Sequence, residues 1–175
     1  MAKLSALFFV LAILISINSA AVLPRVAAPK DELSVSLESE AIFCTFLPSI
    51  PWQNIGDSED TAIPYCTQPT PNAPGAQIFK PGYILSAHIA GTETYVQITG
   101  KMDPASGELN SDDDGGQYDS VGAPPGAVCT GYNKFVNLVE PSDGIYCIRC
   151  CLNDDDCNTN ISTKGCRVVI PGDYS

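Results

Sequence analysis

Histidine is nearly absent from this chain of 175 residues, with His88 its only example, and tryptophan occurs once, as Trp52. A Ser-His-Asp or Cys-His arrangement would therefore rest wholly on His88, and a zinc site would lack paired histidines. Basic residues are scarce as well, 9 against 20 acids, for a formal charge of −11. Such a surface repels nucleic acid and anionic lipid, so neither nucleic acid nor membrane is expected as a partner. No stretch sustains a helical period of useful length, and no internal repeat is visible. No cofactor fingerprint is present, and none is expected to bind. Long apolar runs are missing beyond residues 4–17. That run is about 14 residues, short of the roughly 20 that span a bilayer.

The apolar run has a role of its own. Lys3 precedes it and Ser19-Ala20-Ala21 follows it, which is the anatomy of a signal peptide over residues 1–21. The C-terminal Ile170-Pro-Gly-Asp-Tyr-Ser175 is too short and polar for a lipid-anchor signal. The expected product is secreted and extracellular, and loss of Lys3 takes its charge one unit further negative. Residues 22–32, with Pro24 and Pro29, read as a flexible lead-in, and 33–175 as a single disulfide-rich β domain.

Cysteine is what the chain has in abundance. Cys44, Cys66, Cys129, Cys147, Cys150, Cys151, Cys157 and Cys166 make an even count at irregular spacing, the pattern of a disulfide framework in an oxidising compartment. The gap between Cys66 and Cys129 separates a pair, which can bridge to itself, from a cluster of six. Cys147-Ile-Arg-Cys150 matches C-x-x-C, but it lies in a β-type run rather than at a helix start that would activate a thiol. Adjacent Cys150 and Cys151 should reach partners on opposite sides of a strand.

The fold class follows from short alternating runs: mainly β, as a small disulfide-stabilised antiparallel barrel or sandwich with long loops. Residues 33–37 alternate with period two, and 41–46 form a second apolar run. Seven prolines between 48 and 82 predict an irregular segment held by Cys44 and Cys66. A hairpin is expected from 83–89 and 94–100, turned at 90–93, and a second from 135–139 and 145–150, turned at Glu140-Pro-Ser-Asp-Gly144. Residues 103–125 are expected to form a long surface loop, and 166–170 a last strand stopped by Pro171-Gly172.

Three features offer chemistry. Asn110, Asp112, Asp114 and a later Asp119 resemble part of a calcium loop, although Val121 stands where an EF-hand needs a bidentate glutamate. A solvated acidic turn is the plainer reading. Paired carboxylates among Asp103, Glu108, Asp112, Asp113, Asp114 and Asp119 would suit weak glycoside hydrolysis, but spacing alone sets no two at working separation. Trp52, Tyr65, Tyr83, Tyr95, Tyr118 and Tyr132 would stack on sugars if several shared a face, and otherwise are packing residues. Asn160-Ile-Ser162 is a glycosylation sequon in an expected loop.

From residue 95 onward the motifs DDGGQYDS (113–120), CTGYNKFVNLVEP (129–141), YCIRCC (146–151) and VIPGDY (169–174) resemble a family of small secreted cysteine-rich fungal proteins with no established biochemical activity. The resemblance implies an extracellular fungal protein, some of whose relatives act during host colonisation. A secreted, non-enzymatic effector or interaction protein is therefore expected, with residues 111–120 and 153–164 as recognition loops and an extracellular protein or cell-wall polysaccharide as partner. The alternative is a carbohydrate-binding or weak wall-hydrolysing module using the loop carboxylates.

Overall fold

The structure, a computed structural model, describes residues 33–175. The expected signal peptide and lead-in lie outside the described residues. The described residues are mainly β, with ten strands: β1 (Ser34–Val35), β2 (Cys44–Leu47), β3 (Ile63–Cys66), β4 (Gln77–Ile78), β5 (His88–Gly91), β6 (Tyr95–Lys101), β7 (Gly116–Asp119), β8 (Val128–Cys129), β9 (Lys134–Glu140) and β10 (Ile145–Cys151). One helical turn follows, α1 (Cys166–Val169). Among the described residues no helix is long and apolar enough to cross a membrane.

The organising element is a five-stranded antiparallel sheet in the order β5-β6-β10-β9-β7. It is open, with β5 and β7 as its two edges, so it does not close into a barrel. Strand β10, IYCIRCC, shows why its sequence runs apolar without alternating. Tyr146, Ile148 and Cys150 face one hydrophobic cluster, while Ile145, Cys147 and Cys151 face another. A sheet covered on both faces has little reason to alternate. On the first face lie a three-stranded sheet, β2-β3-β4, and the parallel pair β1-β8. Phe46 of β2 stacks on Phe135 at 5.4 Å, and Phe43 lies parallel to Tyr146 at 5.8 Å. On the second face lie α1, the 3₁₀ turn Thr159–Lys164 and the C-terminal tail.

Four disulfides tie these layers, and no described cysteine is free. Cys44–Cys66 joins directly paired residues of β2 and β3. Cys129–Cys150 crosses the first face, while Cys147–Cys166 and Cys151–Cys157 cross the second. Neighbouring Cys150 and Cys151 thus leave β10 in opposite directions, as the strand pleat requires. The two cysteines of the C-x-x-C segment bridge away from each other.

Several expected elements differ. The segment 166–170 is a helical turn, not a strand. Its β-branched residues favour extension, but the Cys147 bridge and a hydrogen bond from Cys166 N to Glu140 Oε1 (3.0 Å) wind it back over the sheet. The first hairpin arm is confined to 88–91, because the N–H groups of Leu85 and Ser86 both converge on the Lys101 carbonyl, as in a β-bulge. Its turn is 92–94 rather than 90–93. The loop 103–125 contains β7, paired with β9, and the proline-rich segment contains β3 and β4. Residues 34–37 are buried on both sides rather than alternately, since β1 is enclosed beside β8.

Candidate functional site

Parts of the two expected loops, 114–117 and 162–164, come to opposite sides of one cleft, while 153–161 lie outside it. A cleft of about 770 Å³ opens between Asp114–Gln117 on one side and Ser162–Val168 on the other. Its floor is the second face of the sheet near the ends of β9 and β10, and Glu59 stands at its border. The near wall is fixed by acidic side chains binding backbone N–H groups. Asp113 Oδ2 accepts from Ile55 N (2.7 Å) and its Oδ1 from Gly115 N (3.0 Å). Gly115 has φ 99°, and a Cβ there would strike the Val139 carbonyl, so only glycine lets this loop lie against β9.

The far wall hangs on Glu140. Its carboxylate caps Cys166 N and sits against Gly165, where φ is 80° and a Cβ would come within 2.6 Å of Glu140 Oε1. Burial holds the Glu140 carboxyl above the usual carboxylate range, and Asp143 reinforces this, against the Cys166 N–H and Arg167. Glu59 is raised too, by burial first and then by Asp119 and Asp60. The cleft therefore sets Asp114, Asp143, Glu59 and Glu140 against Lys164 and Arg167. Its size lies in the range that accommodates a small ligand or a short peptide segment. No aromatic side chain lines it.

The sequence-predicted residues are otherwise dispersed. Asp119 is buried, and its Oδ1 accepts from Val121 N (2.6 Å) and Gly122 N (2.8 Å). Asn110 Oδ1 accepts from Asp112 N (3.1 Å), and Asp114 accepts from Ser142 Oγ (3.3 Å). These are the bonds of acidic turns, and no group of three or more His, Cys, Asp or Glu among the described residues is placed to hold a metal. Asp103 is engaged by Ser106 and Ala105, which hold its carboxyl below the usual range, and Glu108 pairs with Lys80. His88 lies 3.7 Å from Asp173 and is spent on the C-terminal tail. Asn160 is exposed, while Ser162 of the same sequon is buried with its hydroxyl on the Thr159 carbonyl (2.8 Å). The aromatics are divided: Tyr118 is core, Tyr95 lies under Arg149 at 4.5 Å, and Tyr65 and Tyr83 line a small groove elsewhere. Sequence reasoning missed Glu140, which it placed in a turn, along with Glu59 and Arg167. Glu140 and Arg167 were signalled only by charge beside apolar or cysteine residues, and Glu59 sits in the acidic run 57–60, where nothing set it apart.

Over 151 residues the chain is 30% identical to the appressorium protein ROW1 of Mycosarcoma maydis, a match that takes in 75% of this chain. The chain spans about a third of the length of that curated relative (34%). No family model matches it. No solved structure matches it.

Proposed function

We propose that this is a secreted, disulfide-clamped interaction protein that works without catalysis in the extracellular space during host colonisation, and that the cleft between 114–117 and 162–168 is its recognition surface. The observation that carries this reading is the meeting of two loops, distant in sequence, across one cleft. Loops on a rigid frame are where recognition resides, and the frame is rigid because four bridges hold it. The fungal relative, named as an appressorium protein, supports a place at the contact between fungus and host. Crosslinks also limit the opened states that extracellular proteases attack.

One observation favours a second reading. A carboxyl raised by burial, as at Glu140, with Asp143 beside it, is the chemistry of a general acid in glycoside hydrolysis. Against it, Glu140 Oε1 is occupied by Cys166 N, and no aromatic platform lines the cleft. Purified protein incubated with wall polysaccharide should release no sugar beyond the buffer control. Release that disappears in Glu140→Gln would replace recognition with hydrolysis.

A further inference from the structure

Trp52, the only tryptophan of the chain, is 56% exposed, and Ile50 beside it is 60% exposed. Its backbone has φ 65°, a left-handed conformation that costs any residue with a Cβ. The one other described non-glycine residue with positive φ is Glu108, at 56°. The two are joined, for Trp52 N donates to the Glu108 carbonyl at 2.7 Å. Two strained residues thus hold each other at one place on the surface, the situation in which strain is retained for function.

Glu108 and the two residues before Trp52, Ile50 and Pro51, line a groove of about 60 Å³ whose other walls include Tyr65, Phe79 and Leu109, so Trp52 is joined to its rim through its backbone rather than forming its wall. The Lys80–Glu108 ion pair stands at it, and Tyr83 also lines it. The Tyr83 hydroxyl is buried and has no hydrogen-bond partner. Gly107 gives the Tyr83 ring its room, since a Cβ there would collide with the ring edge.

Each part selects a ligand chemistry. A flat exposed indole matches the axial C–H face of a pyranose with equatorial substituents. The ion pair presents donors and an acceptor with no net charge. A hollow of this size, with Ile50, Tyr65, Phe79 and Leu109 in its wall, takes a methyl-sized group such as that of an acetamide. Anionic sugar polymers are repelled by a chain at −11. We propose that the groove beside Trp52 binds an uncharged oligosaccharide of N-acetylated, equatorially linked pyranoses. It is separate from the cleft and does not depend on the role given to it.

Excited at the red edge, where tyrosine does not absorb, the protein's fluorescence comes from its one indole, so the site reports on itself. Titration with the hexamer of N-acetylglucosamine should give a saturable spectral shift, with cellohexaose binding at least about tenfold more weakly, which is about 1.4 kcal/mol. By calorimetry, Trp52→Gly should lose the binding heat while its thermal midpoint holds or rises, because glycine relieves the positive φ. Trp52→Asn, which also tolerates that backbone, should behave alike if the glycine variant folds poorly. Lys164→Glu with Arg167→Glu should bind the hexamer as wild type does. No spectral shift, equal affinity for cellohexaose, or undiminished binding by Trp52→Gly or Trp52→Asn would each overturn the proposal.

Discussion

Asn137 shows how one polar side chain can hold two layers together. It is fully buried in β9, where its Oδ1 accepts from Phe46 N at 2.8 Å and its Nδ2 donates to the Cys147 carbonyl at 3.0 Å. Phe46 belongs to the small sheet, so this one amide fixes the docking of β2 on β9. Asn137→Ala removes the acceptor of the buried Phe46 N–H and should cost about 1–3 kcal/mol in denaturant unfolding. Glu140 governs pH dependence. Its folded-state proton affinity, like that of Glu59, is raised, so both favour folding below the ordinary carboxylate range, and that contribution is lost as pH rises through their folded values. Asp103 and Asp173, held low by their hydrogen bonds, act in the opposite sense at lower pH. The thermal midpoint should fall as pH rises above the ordinary carboxylate range, through the raised values of these two groups. Glu140→Gln, which keeps an oxygen for Cys166 N, should reduce that fall, and an unchanged profile would show that Glu140 is effectively solvated.

At the scale of elements, the sequence was most readable where local and tertiary preferences agree. The β9-β10 hairpin has β-branched and aromatic arms and a Pro-Ser-Asp-Gly turn, and it folds as those residues suggest. Strand β7 was hidden because only Tyr118 among its four residues is apolar. Its pairing with β9, and the Tyr118–Ser58 hydroxyl contact at 2.7 Å, come from segments distant in sequence. Helix α1 was misread for the converse reason, since Val168, Val169 and Ile170 look like a strand and a disulfide overrules them. The cleft was half legible. Its two loops stood out as polar, acid-bearing segments, but Glu140 and Arg167 become neighbours through the Cys147–Cys166 bridge and the Cys166 N–H bond to Glu140. Cys147→Ser with Cys166→Ser should therefore loosen residues 159–170 selectively. In the chain-entropy picture a loop of this length contributes about 3 kcal/mol. Amide hydrogen exchange should accelerate there and remain slow in β6 and β9, and uniform acceleration would mean that the bridge holds the whole fold.

For the molecule as a whole, acidity and disulfides point the same way. The formal charge of −11 weakens any attraction to polyanions, and the four bridges fit an extracellular protein. The tail completes the enclosure, latched by Gln97 Nε2 to the Pro171 carbonyl (2.9 Å) and Thr99 Oγ1 to the Asp173 carbonyl (2.6 Å). What remains open to a partner on this face is the cleft, where Lys164 and Arg167 are the cations among carboxylates. The decisive measurement is host colonisation by a strain lacking this protein and complemented with Lys164→Glu plus Arg167→Glu, matched to wild type in secreted amount and circular dichroism. Recognition through the cleft requires that this variant fail while a distant charge reversal, Glu93→Lys in the exposed β5–β6 turn at the far end of the sheet, succeeds. Full colonisation by the double variant would contradict it.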